Sequence, residues 1–116
     1  MKKLNEREKE RVKKLLKTIK SENILVLVEG KKDEKVLKKL GITKIMRIDG
    51  RSVVSLENVI KRGKVLILTD FDKEGRRKAS KLCKLFERIK EVKIYKRLRY
   101  EFRKLFKISK IEEIDL

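Results

Sequence analysis

Residues 24–33 read Ile24-Leu25-Val26-Leu27-Val28-Glu29-Gly30-Lys31-Lys32-Asp33. An unbroken apolar run closed at once by Glu-Gly suits a strand buried on both faces, as in a parallel sheet. A second stretch repeats the design: Val65-Leu66-Ile67-Leu68-Thr69 runs into Asp70-Phe71-Asp72-Lys73-Glu74-Gly75. Both acidic segments begin where an apolar strand is predicted to end.

The flanking sequence alternates with these runs. Asn5 to Lys20 places Val12, Leu15, Leu16 and Ile19 at helical spacing. Val36, Leu37 and Leu40 mark a short helix stopped by Gly41. Lys44 to Ile48 reads as a second strand, closed by Asp49-Gly50. Ser52 or Ser55 then caps a helix carrying Val53, Leu56, Val59 and Ile60, which Gly63 ends. A long helix starts near Lys73, with Ala79, Leu82, Cys83, Phe86 and Ile89 on one stripe, and Val92 to Tyr95 is a fourth strand. The remainder, with Phe102, Leu105 and Phe106, reads as helix, and Ser109 is a candidate cap for a last turn through Ile114. Strands alternating with helices predict an α/β fold around a four-stranded, mostly parallel sheet. Right-handed crossovers permit the order 2-1-3-4, which sets strands one and three side by side.

Composition bounds the chemistry. The chain has 116 residues, 36 Lys+Arg against 18 Asp+Glu, and a formal charge of +18. Length argues for one domain, and 40% hydrophobic content supplies a core. No apolar run is long enough to span a membrane and no secretory signal opens the chain, so a cytoplasmic, soluble protein is expected. Histidine is absent and cysteine occurs once, at Cys83. This excludes an internal disulfide, the usual zinc sites and histidine-based catalysis. Lysine-rich, glutamine-free composition resembles that of thermophile proteins. A twofold excess of basic residues points to a polyanion partner, DNA or RNA.

The acidic residues are the exceptions in this basic chain. In open α/β sheets ligands bind beyond the carboxyl ends of strands at the switch point of strand order. With the order 2-1-3-4, Glu29 and Asp70 face each other there, and Asp72 follows Asp70 on the same side. Carboxylates gathered this way call for a cation. All-oxygen donors favour Mg²⁺, with Mn²⁺ as the alternative. Taken singly, Glu-Gly after a strand is also an ordinary turn, and Asp-x-Asp-x-x-Gly an ordinary turn with a helix N-cap.

The pair Val28-Glu29-Gly30-Lys31-Lys32-Asp33 and Thr69-Asp70-Phe71-Asp72-Lys73-Glu74-Gly75-Arg76-Arg77-Lys78-Ala79 resembles the Toprim domain. That domain is shared by topoisomerases, bacterial-type primases, overcoming-lysogenization-defect nucleases, recombination-repair proteins and ribosomal-RNA maturation ribonucleases. The resemblance covers Ile24 to Tyr95 and implies a compact Rossmann-like domain. It divides the chain into a basic N-terminal helix (1–22), a Toprim domain (23–96) and a basic helical tail (97–116), all one compact unit. The resemblance implies that Glu29 is the general acid or base, that Asp70 and Asp72 bind Mg²⁺, and that Asp33 supports the metal site. Gly75 is then the glycine that lets the next helix start close to a phosphate, and Gly50 a turn facing the same cleft. Gly30, Lys31, Lys32, Lys73, Arg76 and Arg77 complete the candidate phosphate contacts. For the lysines and arginines, the competing reading is a solvated helix face.

A separate tyrosine-bearing topoisomerase domain, primase zinc-binding segments and an ATPase half are all absent from the sequence. The layout is most similar to small stand-alone Toprim proteins related to the ribosomal-RNA maturation ribonucleases. The leading expectation is therefore a Mg²⁺-dependent nuclease acting on RNA or DNA. The alternatives are a non-catalytic nucleic-acid or ribonucleoprotein binding module, or a primase-like nucleotidyl transferase working with protein partners.

Overall fold

The apolar runs do pair as one sheet. In a computed structural model describing residues 4–106 and residue 111, the strands are β1 (Leu25–Val28), β2 (Ile45–Arg47), β3 (Gly63–Ile67) and β4 (Val92–Ile94). The helices are α1 (Glu6–Ser21), α2 (Lys31–Lys39), α3 (Val53–Val59), α4 (Lys73–Glu87) and α5 (Lys96–Phe106). All pairings are parallel and the order is β2-β1-β3-β4, the order that the crossover rule allowed.

Period-two alternation within the central strands splits the core between two faces. Val26 and Val28 of β1, with Leu66 and Leu68, face a cluster completed by Val12, Leu15, Leu16 and Ile19 of α1, Leu37 of α2 and Phe102 of α5. Leu27, Val65 and Ile67 face the other way, against Leu56 of α3 and Ala79, Leu82 and Phe86 of α4. Central strands covered on both sides explain why β1 and β3 read as continuous apolar runs.

Local chemistry sets the helix ends. At α1, Asn5 Oδ1 accepts from the Glu8 N–H at 2.8 Å and Glu8 Oε1 accepts from the Asn5 N–H at 3.0 Å, a capping box. Ser52, of the two candidate serines, caps α3 through the Ser55 N–H. Gly41, at φ +87°, follows α2 as expected.

Gly63 corrects the sequence reading. It does not end α3, which closes with Ile60 as C-cap. Gly63 instead opens β3 at φ +103°, with its N–H donated to the Glu91 carbonyl at 3.0 Å. A glycine near a helix end signals a left-handed residue, and here strand entry needed it. The suggested cap at Ser109 lies outside the described residues. No described helix is long and apolar enough to cross a membrane.

Candidate functional site

β1 and β3 lie side by side, so their downstream loops emerge together at one edge. The Leu68 N–H donates to the Leu27 carbonyl at 2.7 Å, extending the ladder to within two residues of Glu29 and Asp70. One step beyond, the Asp70 N–H donates to Glu29 Oε2 at 2.8 Å across 41 residues of sequence. The two carboxylates expected to face each other are therefore neighbours.

Their electrostatics diverge. Burial opposes ionisation of Glu29. The Lys78 ammonium, 2.6 Å from Glu29 Oε1, and the Asp70 N–H together outweigh it and hold the carboxyl below the usual range. Asp70 moves the other way, up to about 6. Burial is the main cause and the neighbouring Glu29 and Asp33 carboxylates add to it, against an Ile111 N–H that donates to Asp70 Oδ1 at 3.0 Å.

Asp33 and Asp72 are placed differently. Asp33 is 7% exposed, and its Oδ2 accepts from the Gly30 N–H at 3.1 Å at the start of α2. Asp72 is the N-cap of α4, with Oδ1 accepting from the Gly75 N–H at 2.8 Å. Among the described residues, no group of three or more His, Cys, Asp or Glu side chains gathers to hold a metal ion. The paired oxygen donors are Glu29 and Asp70. That set fits Mg²⁺, which takes one or two carboxylates and completes its shell with waters and substrate phosphates.

Gly75 presses α4 against the sheet. A Cβ there would fall 2.0 Å from the Asp70 carbonyl oxygen. The buried Thr69 hydroxyl adds a bond to the Gly75 carbonyl at 2.7 Å. The first turn of α4 is thus locked to the end of β3, with its N-terminal N–H groups at the site edge. Gly30 is less confined, since a Cβ would meet only Asp49 Oδ2 at 3.8 Å. Gly50, at φ +71°, turns the chain beyond β2 and lines a cavity with Glu34, Arg47, Asp49 and Arg51. That cavity adjoins the Glu29 segment through an Asp49 N–H bonded to the Glu29 carbonyl at 3.1 Å.

The candidate phosphate contacts fall on the opening turns of α2 and α4. Lys31, Lys32, Lys73 and Arg76 are exposed. Arg77 is exposed but held by Glu74 through bonds of 3.1 and 2.5 Å.

Two residues at this edge went unmarked in the sequence. Lys78 supplies the Glu29 ion pair. It lies three residues beyond Gly75, and that helical spacing is the signal that turns it toward the strand ends. Arg99, on α5, donates to the carbonyls of Ile67 at 3.1 Å, Thr69 at 2.7 Å and Asp70 at 3.0 Å. Its guanidinium also stacks 4.8 Å from the centre of the Phe71 ring. A lone arginine between Leu98 and Phe102 on an otherwise apolar stripe was its trace in the sequence.

Comparison with known proteins gives the chain relatives. The chain is 32% identical over 95 residues to the UPF0292 protein of Pyrococcus furiosus, covering 80% of this chain and 72% of that one. It is 38% identical over 100 residues to the UPF0292 protein of Archaeoglobus fulgidus, covering 82% and 77%. The solved structure of a protein from Aquifex aeolicus matches with a TM-score of 0.77 at 28% identity, over 89% of this chain and 97% of that one. No family model matches the sequence. Identity at this level, sustained across most of both partners, means that the chain belongs to the UPF0292 family.

Proposed function

We propose that the chain is a Toprim-type, Mg²⁺-dependent phosphodiesterase acting on RNA or DNA. The observation that carries this reading is the juxtaposition of Glu29 and Asp70 at the ends of adjacent parallel strands in a chain of charge +18. Oxygen donors meet there at the edge where α/β sheets take their ligands.

Glu29 and Asp70 would hold Mg²⁺, which when bound supplies charge stabilisation to a phosphate undergoing displacement. The chain's own groups do the rest. The N-terminal N–H groups of α4 and the exposed Lys73 and Arg76 orient the phosphodiester. Glu29, kept ionised by its neighbours, would meet the cation with the oxygen that Lys78 yields, and Asp70 would meet it as a carboxylate, any proton it holds passing to water.

The test is cleavage of labelled ribosomal-RNA precursors, duplexes and single strands, with and without Mg²⁺. Glu29→Gln and the Asp70→Asn, Asp72→Asn double variant should each abolish cleavage while the wild type turns over. Full activity in Glu29→Gln, or activity indifferent to Mg²⁺, defeats the proposal. A second reading, a binding module without turnover, is favoured by the Lys78 ammonium seated on Glu29. It predicts steep salt dependence of binding and no product from any substrate.

A further inference from the structure

On the α1–α5 side of the sheet the surface carries a second charged feature, apart from the carboxylates. Leu15 of α1 with Leu98 and Leu105 of α5 floor a groove of about 590 Å³ between the two helices. Arg11 and Lys14 line one wall, Arg97 and Lys104 the other, and Tyr100 opens onto it. Arg97 is paired with Glu101 at 3.4 Å. Among the described residues no carboxylate pairs with Arg11, Lys14 or Lys104. Tyr100 is 57% exposed, an aromatic ring left in water beside those cations.

We propose that this groove binds a single-stranded polynucleotide, with the cations on both walls taking its phosphates and Tyr100 stacking one base. Arg11, Lys14 and Lys104, unpaired among the described residues, stand with Arg97 over an apolar floor, the combination that holds a phosphate backbone and the bases it carries. Arg97 and Lys104 are separated by roughly 10 Å of helix axis, room for two or three phosphates of one strand. Packed helices stand about 8–10 Å apart, too close to admit a duplex, and a stacking tyrosine needs a base freed from its own stack. An acidic peptide would answer the charges but leave the ring without a partner. The helix that carries Tyr100 is itself tied to the end of β3 by Arg99, which bonds to the carbonyls of Thr69 and Asp70. Binding here does not depend on the phosphodiesterase reading.

Fluorescence anisotropy in EDTA, which suppresses metal-dependent cleavage, tests it with a short labelled single strand made as RNA and as DNA. Lys14→Glu with Lys104→Glu should weaken binding at least about tenfold and lower the salt slope by one to two. The milder pair Lys14→Gln with Lys104→Gln should show a smaller loss of the same kind. Tyr100→Ala should lose about fivefold or more and Tyr100→Phe should keep wild-type affinity. Lys84→Glu with Lys90→Glu, on and just beyond α4 across the sheet, makes the same charge change and should stay within about threefold. RNA and DNA should bind alike, since phosphates and base faces are what the groove reads. The proposal is overturned if the control pair loses as much as the groove pair, or if Tyr100→Ala is silent. It is equally overturned if the strand must carry a 2′-hydroxyl, or if a duplex or polyglutamate competes as well as the strand.

Discussion

Lys78 and Glu29 form an ion pair of 2.6 Å between α4 and the end of β1, with the glutamate side chain 18% exposed and the lysine 41%. The ammonium occupies one oxygen of the carboxylate that a metal ion would also seek. Lys78→Gln should therefore raise the Glu29 pKa toward its ordinary value, read by carboxyl NMR titration. It should also tighten Mg²⁺ binding about three- to tenfold, read by calorimetry, since a partly solvated charge nearby is worth on the order of 1 kcal/mol. Weaker Mg²⁺ binding in this variant would show that the lysine supports the site rather than competing for it.

Asp70 ties stability to pH. Its folded-state pKa of about 6 lies above the ordinary 3.8, so the folded chain holds this proton more tightly than the unfolded chain. As pH rises from about 4 to about 6, the unfolded state ionises first, and Asp70 withdraws stability across that window. Asp70→Asn keeps an oxygen for the Ile111 N–H and removes the charge. Melting temperatures without metal should show this variant gaining on the wild type above pH 6, with the gain shrinking toward pH 4. An equal gain at both ends would assign the effect to something other than this ionisation.

Gly75 should be the least replaceable glycine. A methyl group there collides with the backbone of Asp70 at 2.0 Å, whereas Gly50 has nothing within 4 Å of a Cβ and only its φ of +71° to protect. Gly75→Ala should cost about 2–4 kcal/mol because backbone must move. Gly50→Ala should cost about 1–2 kcal/mol from its left-handed conformation alone. Urea midpoints measured side by side check the order.

Arg99 should not tolerate lysine. Its planar fork spans the carbonyls of Ile67, Thr69 and Asp70 while lying over Phe71. An ammonium can neither bridge that spread nor stack on the ring. Arg99→Lys should lower stability by about 2 kcal/mol, with the slope of unfolding against urea unchanged. A loss below about 0.5 kcal/mol would mean that water replaces the fork at little cost.

The sheet was legible because its signals are local and repeated. Two strands buried on both faces announce themselves as apolar runs, and the crossover rule limits how they can be ordered. The adjacency of Glu29 and Asp70 followed from that order. What escaped was long-range or shared between meanings. Lys78 meets Glu29 across 49 residues and Arg99 meets Asp70 across 29, contacts that no motif spacing encodes. Asp33 and Asp72 show the ambiguity of short motifs, because an aspartate that caps a helix and one that serves a cleft occupy the same place in sequence. Both are seen bonded to N–H groups of the following helix or its cap. Gly63 carries the same ambiguity, since a left-handed glycine serves a helix end and a strand entry equally well.

The bond from Leu68 to Leu27 fixes the spacing of the strand ends. Glu29 and Asp70 stand where two rungs of a parallel ladder put them, so the gap between their carboxyl groups is measured off by the sheet and not by a flexible loop. A ruler of that kind does not stretch. Shortening Glu29 by a single methylene, to aspartate, would open a gap that neither neighbouring strand can move to close.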